Sequence, residues 1–335
     1  MSFTPQNILV TGGAGFIGSC FLRHMLQHHQ AIQVINLDLL TYAGNLENLQ
    51  GVDQDERYHF VQGDINNQAL VEGLLEQHHI DTVVHFAAES HVDRSISGPD
   101  AFVKTNVLGT FHLLEAARQV WKKRYNLDSK KCRFHHISTD EVFGTLSKTD
   151  PAFCETTPYA PNSPYSASKA GSDHLARAYF HTYGLPVTMS NCSNNYGPYQ
   201  HPEKLIPTVI RTALAGKSIP VYGDGSNIRD WLYVFDHCDA IDQIVHHGRL
   251  GESYNVGGDC ETNNLQLVKH ICTLLDEMVP KSGSYAKQIS FVTDRPGHDW
   301  RYAINHDKLT RELGWSPEQT LEKGLRETIR FYQGV

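Results

Sequence analysis

Two pairs of side chains in this sequence are spaced to do chemistry: Tyr165 with Lys169, and Asp140 with Glu141. In Tyr165-Ser-Ala-Ser-Lys169 the phenol and the ammonium stand four residues apart, so a helix projects both from one face. A phenol of pKa about 10 is a poor base at neutral pH. A nearby ammonium, joined by a cationic ring bound beside it, favours the phenolate, and a tenfold change in acidity corresponds to about 1.4 kcal/mol. Such a phenolate could take the proton of a substrate hydroxyl while hydride leaves the same carbon. Paired carboxyls, as in Asp140-Glu141, suggest one acid and one base, and shared burial can raise one pKa enough to keep that group protonated. Oxidising a carbinol carbon to a ketone acidifies the adjacent C–H. A carboxylate could then remove that proton while a carboxylic acid protonates a hydroxyl one carbon further on, eliminating water.

The elements that must hold these groups are legible as short apolar runs: Ile8–Thr11, Ile32–Leu37, Tyr58–Val61, Thr82–Ala87 and Cys132–Ser138. Amphipathic stretches separate them, which is the βαβ rhythm of a parallel sheet. The expected fold class is α/β, a Rossmann-like doubly wound parallel sheet with a smaller mixed α/β lobe. Ligands of such sheets bind beyond the carboxyl ends of the strands, where Thr139, Asp140 and Glu141 fall. Ser163-Pro164 reads as the N-cap and first residue of the helix carrying Tyr165 and Lys169. From about Asn194 the rhythm loosens, with Tyr196-Gly-Pro, Tyr222-Gly-Asp-Gly and Arg295-Pro-Gly as punctuation. The expected division is 1–193 for the sheet domain, with part of 230–256 returning to it, and 194–229 with 257–335 for the lobe.

Between the first run and its helix lies Thr11-Gly12-Gly13-Ala14-Gly15-Phe16-Ile17-Gly18. Glycines at 12, 15 and 18 let the backbone turn tightly, approach a pyrophosphate and pack the helix on the sheet. Asp38, twenty residues after Gly18, ends the second run, where a carboxylate can accept from a ribose hydroxyl and repel a 2′-phosphate. The predicted cofactor is therefore NAD rather than NADP. Asp64 and Ile65, after the third run, belong at the adenine, and Ala87 and Ala88, after the fourth, near the nicotinamide half.

The chain has 335 residues and a formal net charge of −8, which argues against a nucleic-acid surface. No apolar run reaches the ~18 residues of a membrane span, and the start carries no signal-peptide pattern, so a cytoplasmic location is expected. The seven cysteines show no CxxC pair, in keeping with reduced thiols. Among the twenty histidines, the doublets His28-His29 and His78-His79 fall in polar helix-like stretches and no HExxH occurs. No metal site is expected.

The glycine motif, the Tyr-Lys pair and Ser138-Thr139 resemble the extended short-chain dehydrogenase/reductase family. That likeness implies that Thr139 hydrogen-bonds the oxidised hydroxyl and that Lys169 also holds the nicotinamide ribose. Ile137-Ser-Thr-Asp-Glu-Val-Phe-Gly144 resembles, more narrowly, the signature of the dTDP-glucose 4,6-dehydratases. So do Thr41-Tyr-Ala-Gly-Asn-Leu46, Ala87-Ala-Glu-Ser-His-Val-Asp-Arg-Ser95, Asn191-Cys-Ser-Asn-Asn-Tyr-Gly-Pro198, Ile228-Arg-Asp-Trp-Leu-Tyr-Val234 and Asp294-Arg-Pro-Gly-His-Asp299.

The narrower resemblance implies a 4-keto-6-deoxy sugar as product, NAD recycled in each turnover, and a homodimer. It makes Tyr165 the base at O4, Glu141 the base at C5 and Asp140 the acid at the leaving C6 hydroxyl. Related decarboxylases and GDP-mannose dehydratases usually carry Ser at the Asp position, and 4-epimerases lack the pair, so Asp140 discriminates. The resemblance further implies Phe16, Ile17, Thr41, Thr105 and Asn195 at the cofactor and Ser90 at the substrate. Arg229 and Arg295 would meet the pyrophosphate, and Asn194, Glu203 and Lys204 the sugar and phosphate side. Pro220, Val221 and Tyr222 would meet the base, with Asn264 and His298 nearby. Two residues depart from the pattern: Phe143 stands where Tyr is common, and Phe235 where Glu is usual.

Overall fold

The computed structural model describes residues 3–294 and 298–334. Among them the strands are β1 (Asn7–Thr11), β2 (Gln33–Asp38), β3 (Tyr58–Gln62), β4 (Thr82–His85), β5 (Arg133–Thr139) and β6 (Val187–Cys192), followed by β7 (Asn194–Tyr196), β8 (Ile219–Tyr222), β9 (Ile228–Tyr233), β10 (Ser253–Val256), β11 (Glu261–Asn263) and β12 (Ile289–Val292). Seven of them form a parallel sheet in the order β10-β6-β5-β4-β1-β2-β3. The order reverses between β1 and β4, so the loops after these two strands diverge and open a crevice at the carboxyl edge.

Successive residues of β1 serve opposite faces, as strand geometry requires. Leu9 packs with Val83, Phe134 and Val187 under helices Gln68–Gln77, Thr110–Ala117 and Pro164–Tyr183. Ile8 and Val10 pack with Val34 and Val84 under helices Phe16–His28 and Val234–His247. A sheet covered on both faces reads as near-continuous apolar runs, which is why five of its strands show in the sequence. β6 does not, because Thr188, Ser190 and Asn191 interrupt it. All six of its residues are nevertheless buried. The polar ones are satisfied inside the sheet: His135 bonds Thr188 at 2.9 Å and Ser190 at 3.1 Å, and Asn191 donates to the Thr139 carbonyl at 3.2 Å.

A second core joins helices Leu205–Leu214, Asn264–Met278 and Leu321–Gln333 to the sheet β11-β9-β7 and the parallel pair β12-β8. Strand β7 follows β6 after one residue, and β9 runs into helix Val234–His247, so this lobe hangs from the carboxyl edge of the large sheet. No described helix is long and apolar enough to cross a membrane. The apolar segment around Phe102–Val120 is helical but contains a π-helical turn at Val103–Gly109 and runs into another at Arg118–Arg124. Asn106, buried in the first, accepts from Glu89 N at 2.8 Å and donates to Glu89 O at 3.0 Å, fixing the loop after β4.

Candidate active site

A cleft of about 1800 Å³ runs along the carboxyl edge of the sheet and under the lobe. Every site residue inferred from the sequence borders it except Val221 and Arg295. Arg295 lies outside the described residues. Val221 is buried in the lobe core, because β8 alternates: Pro220 and Tyr222 face the cleft, and Val221 faces the second core. The expectation that Val221 meets a base is thereby corrected.

At one end the chain leaves β1 through Gly12, whose φ of +74° is costly for other residues. A Cβ there would sit 2.7 Å from the Ala87 nitrogen, and one on Gly18 would sit 2.3 Å from the Gly12 carbonyl oxygen. The turn is therefore as tight as the glycine spacing suggests. Helix Phe16–His28 starts at Gly15 with no side chain capping its first turn, so its N-terminal amides stay available to an anion. Asp38 ends β2 beside this turn and accepts from Ala14 N at 2.9 Å and Leu40 N at 2.8 Å. Burial pushes its carboxyl up, and the two backbone donors oppose that. Asp64, Ile65, Ala87, Ala88, Thr105 and Asn195 continue the wall. Bonds to Ser193 O and His237 Nδ1 fix Asn195. A cradle without side chains, uncapped amides and an acid at the next strand end together fit a dinucleotide.

In mid-cleft, Ser163 and Ser166 form a reciprocal capping box with Pro164 in the first turn, and the helix they start presents Tyr165 and Lys169. Both side chains are buried. Lys169 Nζ donates to the Ile137 carbonyl at 2.6 Å, and burial pushes its pKa down. Tyr165 is pushed well up, by burial first and then by the charges of Glu141 and Cys192, with a hydrogen bond to Thr139 opposing. The protein's own groups favour the phenol, and a cationic ring bound beside it would favour the phenolate.

Strand β5 ends at Thr139, and Asp140–Phe143 form one 3-10 turn. This turn separates the two acids. Asp140 is 1% exposed, accepts from Thr139 Oγ1 at 3.3 Å through Oδ1, and has no hydrogen bond to Oδ2. Its pKa is raised well above the ordinary value by burial, then by the charges of Glu141 and Asp230, against the pull of Arg229. Burial and these charges thus favour the protonated form of Asp140, the form with an O–H to give. Glu141 is half-buried, and its amide bonds Thr139 Oγ1 at 3.3 Å.

On the lobe side, Arg229 is buried across the Tyr302 ring at 4.4 Å and donates to the carbonyls of Ile228, Trp300 and Asp299. Lys204 Nζ reaches the Ser90 carbonyl at 3.2 Å, and Glu203 pairs at the rim with Arg94 at 3.3 Å. His298 bonds Asp294 at 2.7 Å. The side-chain oxygens of Asn194 and Asn264 are buried without a hydrogen bond, as acceptors awaiting a polar ligand would be.

A family model described as GDP-mannose 4,6 dehydratase matches residues 9–328. The dTDP-glucose 4,6-dehydratase of Shigella flexneri is 57% identical over 335 residues, covering 98% of this chain and 92% of that protein. The chain belongs to the dTDP-glucose 4,6-dehydratases. Two solved structures of the family, each covered to 97%, superpose over 98% of the chain. That of Bacillus anthracis, in complex with NAD, has a TM-score of 0.87 at 49% identity, and that of Streptomyces venezuelae, also with NAD bound, 0.89 at 46%.

Membership bears on the two departures. Phe143 is buried among Phe153 and Tyr159, with ring centroids 5.2 Å away in both cases, and Phe235 packs between two cores; neither borders the cleft. Sequence reasoning misses Asp230, which lies within Ile228-Arg-Asp-Trp with no task of its own evident there. It is 2% exposed, takes backbone bonds from Gly258 at 2.8 Å and Cys260 at 2.7 Å, and directs its charge at Asp140. Asp173 is missed as well. It lies four residues beyond Lys169 on the same helix face and gathers Ser138, His136 and Tyr159 at 2.7–3.0 Å beneath the site.

Proposed function

We propose that this chain converts dTDP-glucose into dTDP-4-keto-6-deoxyglucose and water, with NAD used and restored within each turnover. The observation that carries the reading is the split between two adjacent carboxyls, Asp140 fully buried where its proton is favoured, Glu141 half-buried, in one cleft with Tyr165 and Lys169. An epimerase has no use for a buried acid at this place, since no hydroxyl leaves.

The turn Gly12–Gly18, with Phe16 and Ile17, would hold the cofactor's pyrophosphate, Asp38 its adenosine ribose, and Lys169 its nicotinamide ribose. When bound, NAD supplies a cationic hydride acceptor for C4 and later a hydride donor for C6. Ionised beside that cation, Tyr165 Oη takes the proton of the C4 hydroxyl, which Thr139 Oγ1 orients. With C4 a ketone, the C5 proton becomes acidic and Glu141 removes it. Asp140 gives its proton to the C6 hydroxyl, which leaves as water. Glu141 then returns a proton to C5, completing the 4-keto-6-deoxy sugar, and passage of the proton gained by Tyr165 back to Asp140 resets both groups. In the lobe, Arg229, Lys204 and Arg295 supply cations for the two phosphates, and Pro220 and Tyr222 a surface for the base. We assign 1–193, with part of 230–256, to cofactor binding, and 194–229 with 257–335 to substrate. A cytoplasmic homodimer, pairing through the exposed Val103 and Leu108 of the segment around Phe102–Val120, belongs to the same proposal.

The test is incubation of the purified protein with dTDP-glucose in deuterated water without added cofactor, followed by mass spectrometry and NMR. The expected product is a 4-keto-6-deoxy sugar with deuterium at C5. Recovery of unchanged dTDP-glucose by protein that epimerises or decarboxylates UDP-sugars would overturn the proposal.

A further inference from the structure

Of the first histidine doublet, His28 is exposed and His29 turns inward toward a buried carboxylate. The helix ends at His28, and His29 turns extended at φ −122° and ψ 107°. Its Nε2 comes within 2.8 Å of Asp242 Oδ2 on helix Val234–His247. His24 Nε2 reaches the same oxygen at 3.0 Å, and His246 Nδ1 stands 2.8 Å from the other oxygen, Oδ1. Asp242 is 7% exposed. Its Oδ1 has no hydrogen bond, because His246 Nδ1 is directed to the Asp242 carbonyl at 2.9 Å. Three imidazoles thus crowd one buried carboxylate that still has an unfilled acceptor.

One donor atom each from His29, Asp242 and His246 lies within 4.8 Å of the others. Nitrogen and oxygen ligands at ~2.0–2.2 Å from a tetrahedral ion stand roughly 3.3 Å apart, so the set closes when the His29 and His246 rings turn out of their present stack, 4.9 Å between centroids, and His246 Nδ1 leaves the Asp242 carbonyl. The backbones that carry them are held in place. Arg57 donates to the carbonyls of His29 at 2.6 Å and Leu26 at 2.8 Å, and Phe3 N donates to the His246 carbonyl at 2.9 Å. Two imidazoles with a carboxylate suit a borderline cation, whereas Mg²⁺ and Ca²⁺ prefer all-oxygen sets.

We propose that His29, His246 and Asp242 bind a divalent transition-metal cation of the Zn²⁺ type, with His24 hydrogen-bonded to the carboxylate and orienting it. The site pins the end of the first helix to helix Val234–His247. A helix of 13 residues puts about 20 Å between it and the glycine turn, so the cation acts on stability rather than on turnover.

The experiment is calorimetric titration of the full-length protein, stripped with EDTA, with zinc chloride, followed by thermal melts at saturating zinc. Wild type is expected to take up about one equivalent and to melt several degrees higher, since a ligand that binds only the folded state raises Tm. The double variant His29→Gln/His246→Gln should lose both effects, and His24→Gln should bind about tenfold more weakly, the usual effect of removing a group that orients a ligand. Wild type that binds no zinc, or a double variant that binds and melts like wild type, overturns the proposal. His29 is partly exposed, so the single variant His29→Gln, expected to weaken binding at least tenfold, keeps the test open if the double variant does not fold.

Discussion

Replacing Asp140 by Asn removes the side chain's transferable proton and changes almost nothing else. The amide has the shape of the protonated acid, and in a site that is 1% exposed the shape matters. Positioned general acids contribute typically 10²–10⁴-fold, or about 3–5 kcal/mol in the barrier, so loss of water should slow by that factor. The earlier steps use Tyr165 and Glu141, so hydride transfer and C5 exchange should persist. Single-turnover mixing with dTDP-glucose should therefore show reduced nicotinamide accumulating in Asp140→Asn, with deuterium entering C5 of recovered substrate. Stability supplies an independent check whose sign follows from burial. Because the folded carboxyl holds its proton well above the ordinary carboxylate range, its contribution to stability is full below that range. It is lost as pH rises toward the raised value, at up to about 1.4 kcal/mol per pH unit for one proton. Asp140→Asn lacks this slope and should match or exceed wild type in Tm at neutral pH. A variant that eliminates water at the wild-type rate, or whose hydride step fails equally, would refute the assignment of Asp140 as the acid.

Glu141→Gln should retain hydride transfer but lose C5 exchange, seen by NMR in deuterated water. Gly12→Ala combines a φ of +74° with a Cβ 2.7 Å from the Ala87 nitrogen, so the purified protein should carry much less NAD, measured by absorbance after denaturation. Val221→Ala should cost about 2 kcal/mol in urea unfolding with KM unchanged, whereas Tyr222→Ala, one residue on, should raise KM with stability nearly unchanged.

What is legible in the sequence is what local rules decide. The five apolar runs become strands because a sheet covered on both faces demands them, and Ser163-Pro164 becomes a helix start because a hydroxyl cap and a fixed φ suit that position. Strand β6 is hidden because its polar residues are satisfied by His135 and Ser253 on neighbouring strands, partners that no window of sequence contains. Val221 is misplaced by the sequence although alternation could have found it: Pro220 and Tyr222 already occupy the open face. The partner of His29 is hidden because helix periodicity says nothing about a residue just past the helix end, where it meets Asp242.

The same limit bears on the acids. Asp140 and Glu141 are neighbours in sequence with the same functional group, and nothing in Ser138-Thr-Asp-Glu says which keeps its proton. The difference comes from afar. The 3-10 turn after β5 sends Asp140 inward, where Asp230 on β9 adds a negative charge that itself is anchored by two backbone amides from 258–260. Arg229, next to Asp230 on the same strand, would favour the ionised form, but its guanidinium is committed to the carbonyls of residues 228, 299 and 300 and to the Tyr302 ring. Burial and the two carboxylates therefore outweigh one occupied cation. Strand β9 belongs to the lobe that lies over the cleft, so the acid's hold on its proton depends on contact between lobe and sheet: a change that loosens that contact should lower the pKa of Asp140 and weaken it as a proton donor.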